Sequence, residues 1–350
     1  MRLLIGCHFV GYGLQYSQGV GVAQNKKRGI EMVADAGDRG NVACMGQMAY
    51  WYGEDGDAGG DEKKRFLPKD AAKRHEWNLK AANAGDANAM ALVSSNYLNG
   101  DGVAANLGEA VRFGEAAGAK KNVVALVNLA QAFTGGVKGV PANRDKAIAY
   151  LKQAGALGFP LVDINLSNIY GGIDGLPPDH VKAFEIRKVL ADKGDADAQT
   201  YIGVWYFLGQ GVAKDTAKAF DYLSRAAKGG STRGMYELGC LYYDGDVVAK
   251  DIMKALSLWR QAAVQGSPEA LFRMGMRTMN GNELQQDQIE GERLLRLSAD
   301  NGNADAPYVL YQIYDNGYGP EIDKKEALRW LKLGAERGDT EAIAKLKTIH

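Results

Sequence analysis

"SRAAKGGSTRGMYELGCLYYDG" occupies Ser224–Gly245, and 36 residues later the chain reads "RQAAVQGSPEALFRMGMRTMNG" over Arg260–Gly281. The two stretches follow one pattern, in which Gly239 of the first corresponds to Gly275 of the second. A fixed period of this length indicates an array of structural repeats, each of which packs on its neighbours rather than around a central core.

The period continues through the whole sequence. Each unit opens its second half with an aspartate or asparagine and closes with a glycine, except that Lys121 stands where one of these glycines is due. Nine units result from this alignment. The closing glycines are Gly40, Gly85, Gly158, Gly194, Gly230, Gly266, Gly302 and Gly338, and the opening residues are Asn25, Asp70, Asn106, Asn143, Asp179, Asp215, Asp251, Asp287 and Asp323.

Each unit is predicted to form two helices. In the sixth unit, Ala198, Ile202, Gly203 and Tyr206 have the spacing of one helix face, and the small residues allow a neighbouring helix to approach closely. A glycine-containing turn follows, and Asp215 then has the position of an N-cap, whose side chain accepts hydrogen bonds from the first turn of a helix. Because two short helices cannot bury their apolar faces alone, stacking of successive pairs must supply the core.

The stretch that matches a known repeat best is "AQTYIGVWYFLGQGVAKDTAKAFDYLSRAAKGG", residues 198–230. It resembles the Sel1-like repeat, a relative of the tetratricopeptide repeat, and the resemblance extends over essentially the whole chain. This resemblance implies an α/α solenoid with a right-handed superhelical course and a role in protein–protein interaction. Members of the family serve as adaptors, as signalling regulators or, in some bacteria, as immunity proteins that neutralise lipase toxins.

The sequence therefore predicts an all-α fold of about nine repeats, forming a single solenoid over residues 1–350. The last residues, 339–350, resemble one extra first-type helix, which would cap the open end of the array. With nine pairs and this cap, about nineteen helices are expected.

Composition narrows the class of partner. The chain has 42 Lys and Arg residues against 42 Asp and Glu residues, and this balance disfavours nucleic acid or an anionic membrane as the main partner. No apolar run is long enough to span a membrane. The apolar stretch before Cys7 is too short for an export signal, so the compartment stays open between cytoplasm and, if a signal peptide is missing from this chain, periplasm.

No catalytic or cofactor motif is found. The sequence "GGSTRG" does not complete a nucleophile elbow, "GVGV" lacks the third glycine of a dinucleotide fingerprint, and the four histidines have no metal-ligand spacing. We therefore predict a non-catalytic protein without cofactor or metal. A peptide- or carbohydrate-binding role remains the alternative from another class.

One insertion interrupts the period. Residues 53–67 form an acidic and then basic segment, which we interpret as a loop inserted between repeats two and three. Asp55 and Asp57 have partial calcium-loop spacing, but other ligand positions are not filled. A solvated loop is the favoured interpretation, and contact with a partner through Asp55, Asp57 and Asp61 is a second one.

The predicted binding site is a row of residues on the first-type helices, two, six and nine residues after the small residue that starts each motif. In a tetratricopeptide-like array these positions face the concave groove, where a partner protein, such as a secreted effector or a signalling protein, would bind. The row is largely aromatic or methionine, which favours a partner surface, although a tight superhelix would bury part of it as core. It consists of Phe207, Tyr236, Cys240, Tyr243, Phe272, Met276, Met279, Tyr308 and Gln312, with Thr200, Val204 and Asp315 in equivalent positions.

Overall fold

The computed structural model describes residues 25–53, 67–172, 176–317 and 322–349, together with residues 13, 15, 16 and 23. This part of the chain consists of helices joined by turns and contains no β-strand. The predicted all-α fold is confirmed.

Besides one short π-helix (Ala132–Gly136), eighteen α-helices are described. They are α1 (Lys26–Asp38), α2 (Val42–Tyr52), α3 (Ala71–Asn83), α4 (Ala87–Asn99), α5 (Leu107–Ala119), α6 (Val123–Gln131), α7 (Arg144–Ala156), α8 (Val162–Gly171), α9 (His180–Asp192), α10 (Ala196–Leu208), α11 (Thr216–Lys228), α12 (Thr232–Asp244), α13 (Ile252–Val264), α14 (Pro268–Asn280), α15 (Gln288–Asp300), α16 (Ala306–Asn316), α17 (Lys324–Glu336) and α18 (Thr340–Leu346).

The helices belong to two compact units, Met1–Asp179 and His180–His350. In the first unit α2 packs on α3, α4 on α5 and α6 on α7, and in the second α10 packs on α11, α12 on α13, α14 on α15 and α16 on α17. Each of these pairs also contacts the next pair within its unit. Both units are thus stacks of helical hairpins.

The capping residues that open the second-type helices were predicted from the period, and the structure confirms eight of them. Each side chain accepts a hydrogen bond from a backbone N–H in the first turn of its helix, which pairs a donor that the helix itself cannot satisfy. These residues are Asn25, Asp70, Asn106, Asn143, Asp215, Asp251, Asp287 and Asp323.

The closing glycines adopt left-handed backbone conformations, with φ between 86° and 98°. At Gly230 a Cβ atom would meet nothing within 4 Å, so the requirement for glycine there comes from the backbone angle and not from crowding. Lys121 occupies the equivalent position with φ 66°, a conformation that costs a side-chain-bearing residue free energy.

A second kind of glycine allows close packing inside each hairpin. A Cβ on Gly203 would lie 2.7 Å from Leu223 Cγ, and one on Gly239 would lie 2.6 Å from Trp259 Nε1. The large side chain of the second helix therefore fills the space that the glycine of the first helix leaves open.

Two further predicted features are the insertion at residues 53–67 and the C-terminal capping segment at residues 339–350. Residues 53–67 connect α2 with α3, the two helices of the second repeat, so the predicted position of the insertion between repeats two and three is wrong: it lies within repeat two. Residues 54–66 lie outside the described residues. The predicted capping segment forms α18, whose Ala342 is fully buried and packs near Gly334 of α17. Whether all nine repeats form one continuous solenoid stays a prediction.

Candidate interaction surface

The structure places the predicted row on α10, α12, α14 and α16 of the second unit, which are its first-type helices. Helix α10 contacts α12 directly, although α11 lies between them in the sequence. Most of the row is half-buried: Gln312 is exposed, whereas Met279 is only 5% exposed. The predicted row is therefore partly surface and partly core.

The buried part of the row has a packing role. Met279 lies against Gly291 of α15, where an added Cβ would approach the Met279 Cβ to 2.7 Å. Phe272, Met276 and Tyr308 are partly buried against the core of the last hairpin. Thr200 is 1% exposed, and its hydroxyl lies 3.0 Å from the Ser231 hydroxyl.

The central residues of the row surround a tryptophan from the second-type helix α13. Trp259 is fully buried, and its Nε1 donates a hydrogen bond to the backbone oxygen of Tyr236 over 3.1 Å. The Tyr243 and Trp259 rings lie 5.3 Å apart between centroids. Cys240 packs partly buried in the same cluster. These packed aromatic rings form a rigid base on which other side chains can stack.

Two arginines of α14 lie over this base. The Arg277 guanidinium is 4.4 Å from the Tyr243 ring centroid and 4.8 Å from that of Trp259. The Arg273 guanidinium is 5.7 Å from the Trp259 centroid, and its Nε donates to the Tyr236 hydroxyl over 3.4 Å. Stacking of guanidinium groups on aromatic rings holds them in fixed orientations. We call Tyr236, Tyr243, Trp259, Arg273 and Arg277 the arginine–aromatic cluster.

Acidic side chains balance part of this charge. The Arg277 side chain is only 12% exposed, and its Nε lies 3.4 Å from Glu283 Oε2. Glu283 also accepts a hydrogen bond from the Tyr243 hydroxyl, over 3.1 Å. On α12, Glu237 pairs with Arg233 over 3.5 Å.

Burial changes the acid–base properties of two groups beside the cluster. Desolvation is the largest influence on Glu237 and raises the pKa of its carboxyl, which Arg233 partly offsets. Desolvation likewise raises the pKa of the Cys240 thiol, although Arg273 acts in the opposite direction. A thiol with a raised pKa is mostly protonated at neutral pH, so Cys240 belongs to the apolar part of the surface.

Sequence reasoning missed the charged members of this surface. Glu237 and Arg273 stand three residues after the starting small residue of their repeats, one position beyond the predicted row. The equivalent residues are Tyr201 and Val309, so this position has a different chemistry in each of the four repeats that carry the predicted row. The packing positions keep their character from repeat to repeat while this position varies, and that contrast is the sequence signal for a binding surface.

The remaining predicted candidates lie elsewhere. Asp55, Asp57 and Asp61 fall outside the described residues. Within the described residues no group of three or more His, Cys, Asp or Glu side chains could hold a metal ion. None of the described helices is long and apolar enough to cross a bilayer.

The sequence profile of the Sel1 repeat matches residues 5–41, 87–122, 123–159, 164–194, 196–231, 232–267, 268–303 and 312–339. The chain belongs to the Sel1 repeat family. The predicted family is thereby confirmed, and the hairpin α2–α3 falls between the first two matched segments. Sel1 repeat proteins generally mediate protein–protein interaction, and their fold is typically a non-catalytic scaffold.

Solved structures share the fold. A Sel1 repeat protein from Oxalobacter formigenes is 24% identical, with a TM-score of 0.66, over 91% of this chain and 90% of that one. The protective antigen c5321 of uropathogenic Escherichia coli is 22% identical, with a TM-score of 0.50, over 98% of this chain and 81% of that one. The immunity protein Pa5087 of Pseudomonas aeruginosa is 19% identical, with a TM-score of 0.47, over 62% of this chain and 83% of that one. Comparison with curated proteins found no match.

Proposed function

We propose that this protein is a non-catalytic scaffold that binds a partner protein on the first-type helices α10, α12, α14 and α16 of the second unit. The observation that carries the proposal is the variation along these helices. Two of their packing positions keep one character every 36 residues, whereas the half-buried surface positions change from repeat to repeat. The first of these packing positions is always small and the second is aliphatic or methionine: Ala198, Gly234, Ala270 and Ala306, then Ile202, Leu238, Met274 and Leu310. A surface that serves only stacking has no need of such variation.

The chemistry of the surface supports a protein partner. Its half-buried members are tyrosine, phenylalanine and methionine, and arginine lies among them. These residue types are enriched at the centres of protein interfaces, where they supply contact area at a low cost in side-chain entropy. A folded helix or loop of a partner would cover the accessible part of these rings.

The test uses a partner isolated by its binding to the full chain. In the double variant Tyr243→Ala, Tyr308→Ala, part of the surface is removed, and both the affinity and the melting temperature are measured. We expect the affinity to fall by tenfold or more, because aromatic residues at the centre of an interface commonly contribute at least about 1–2 kcal/mol each.

The matched control is the double variant Met253→Ala, Ile289→Ala. These side chains are 75% and 73% exposed and lie on the second-type helices α13 and α15. The control should bind the partner as the unchanged chain does. A large fall in melting temperature of the first variant with unchanged affinity would assign its two tyrosines to the core alone.

The identity of the partner separates the narrower roles. A signalling protein would make this chain an adaptor or regulator, and a secreted lipase would make it an immunity protein. Retention of a peptide or carbohydrate, in place of a folded protein, would replace the proposal with the alternative class.

A further inference from the structure

Arg273 differs in its charge partners from Arg277, the other arginine of the arginine–aromatic cluster, and from the nearby Arg233 of α12. Arg277 pairs with Glu283, and Arg233 pairs with Glu237. Among the described residues, no carboxylate lies within ion-pair distance of Arg273, whose one hydrogen bond goes from Nε to the neutral hydroxyl of Tyr236. The terminal nitrogens of its guanidinium are therefore available to an incoming group.

This guanidinium is half-buried and held in place. It lies over Trp259, and its Nε donates to the Tyr236 hydroxyl; the backbone oxygen of Tyr236 in turn accepts the Trp259 hydrogen bond. Removing a charged group from water is costly unless an opposite charge compensates it. An arginine that is partly desolvated, oriented and without an ion-pair partner among the described residues can bind an acidic group from outside the chain.

Arg277 has an acidic partner within its own repeat, which distinguishes it from Arg273. Glu283 stands at the turn position that Gly211 occupies two repeats earlier, and it keeps the left-handed backbone of that glycine, with φ 59° against 72°. This strained residue places a carboxylate against Arg277 and Tyr243. Arg277 thus has a carboxylate at ion-pair distance, whereas Arg273 has none among the described residues.

The surroundings favour a carboxylate over a phosphate. Glu237 and Asp244 do not form an ion pair with Arg273, but both interact electrostatically with it over a longer distance. A single guanidinium with acidic neighbours suits one negative charge better than the charge of about −2 that a phosphate group carries. The half-buried Cys240 and Tyr236 beside it suit an apolar group next to the acid.

We propose that Arg273 is the anchor for an aspartate or glutamate side chain of the partner protein, with an apolar residue of the same segment lying on Tyr236 and Cys240. The inference rests on the proposed function and adds the chemistry of the segment that is bound. The arginine fork would donate two parallel hydrogen bonds to the carboxylate.

The experiment selects binders for the full chain from a random dodecapeptide library. Selected peptides should contain an acidic residue next to an apolar one. Replacing that acidic residue by its amide should weaken binding at least tenfold, as should Arg273→Gln in the protein. Arg225→Gln is the matched control, because Arg225 is exposed on α11 and pairs with Asp221 over 3.6 Å. Melting temperatures confirm that each variant is folded.

The decisive result is a double-mutant cycle. If the peptide acid binds Arg273, its replacement by an amide should weaken binding to the unchanged chain and cause almost no further loss in the Arg273→Gln variant. Independent, additive losses would overturn the inference, and so would tighter binding of a phosphoserine peptide through Arg273.

The outcomes also separate this inference from the proposed function. Selected peptides without acidic residues that lose affinity in the Tyr243→Ala, Tyr308→Ala variant would leave the binding surface in place and overturn the role of Arg273. Peptides that bind the Arg273→Gln variant and the Tyr243→Ala, Tyr308→Ala variant as tightly as the unchanged chain would contradict the proposed binding surface as well.

Discussion

Replacing Gly239 by alanine tests the packing that shapes the candidate surface. The added Cβ would lie 2.6 Å from Trp259 Nε1, 2.7 Å from Trp259 Cδ1 and 3.3 Å from the backbone oxygen of Ala255. Ordinary carbon contacts are about 3.5–4.0 Å, so the tryptophan ring must shift by about 1 Å. Trp259 is fully buried and its Nε1 is bonded to the Tyr236 oxygen, so a shift of the ring strains or breaks that bond.

The expected magnitude follows from two destabilising effects and one stabilising effect. Overpacking a close-packed site costs about 1–3 kcal/mol, and an unsatisfied buried donor costs about 1–3 kcal/mol. Alanine in place of glycine inside a helix returns about 1 kcal/mol. We therefore expect Gly239→Ala to lower the free energy of unfolding of the second unit by about 1–5 kcal/mol.

The matched control is Gly46→Ala in α2. Gly46 is exposed inside its helix, and an added Cβ there would meet nothing within 4 Å. This variant gains the helix preference of alanine without a clash and should be more stable by about 1 kcal/mol. Native-state hydrogen exchange in increasing urea reports on each unit separately, which a global transition of a repeat protein does not. Equal stabilisation by both substitutions would refute the packing argument.

Two further predictions concern the first unit. Lys121→Gly should raise its free energy of unfolding by about 1 kcal/mol, because φ 66° suits glycine and is strained for lysine; an unchanged or lower urea midpoint would contradict this. His75 is buried, its ring lies 3.1 Å from Asn96 Nδ2, and desolvation lowers its pKa although Asp101 acts to raise it. The unfolded chain then binds the proton more readily, so stability present above the ordinary pKa is lost as the pH falls towards the folded value. The urea midpoint should decrease as the pH is lowered from about 8 to about 5, and this decrease should be smaller in His75→Gln. An equal decrease in both proteins would contradict the assignment of the pH dependence to His75.

The hairpin architecture could be predicted from the sequence because its determinants are local. An N-cap such as Asp215 acts within one turn of its own helix, and the glycine at Gly230 is required by its own backbone angle. The contact between Gly239 and Trp259 joins the two helices of one repeat, so the period reveals it as a small residue facing a large one. These features recur every 36 residues and therefore reinforce one another.

The surface could be predicted only in part, because the exposure of a side chain depends on how far each helix is rotated against its neighbour. Met279 and Gln312 belong to the same predicted row, yet the first is buried and the second is exposed. The arginine–aromatic cluster joins residues of three helices, and its tryptophan comes from a second-type helix that the row did not include. Such contacts join residues at different positions of the repeat, so a comparison of one equivalent position across the repeats does not reveal them.

The central claim is that a partner protein binds the first-type helices of the second unit, and site-specific photo-cross-linking tests it most directly. A photoreactive phenylalanine derivative replaces Gln312, the exposed member of the predicted row on α16, or Gln261, an exposed residue on the second-type helix α13. In cells of the source organism, we predict that one protein is cross-linked through position 312 and not through position 261. The same protein cross-linked equally from both positions, or through position 261 alone, would contradict the claim.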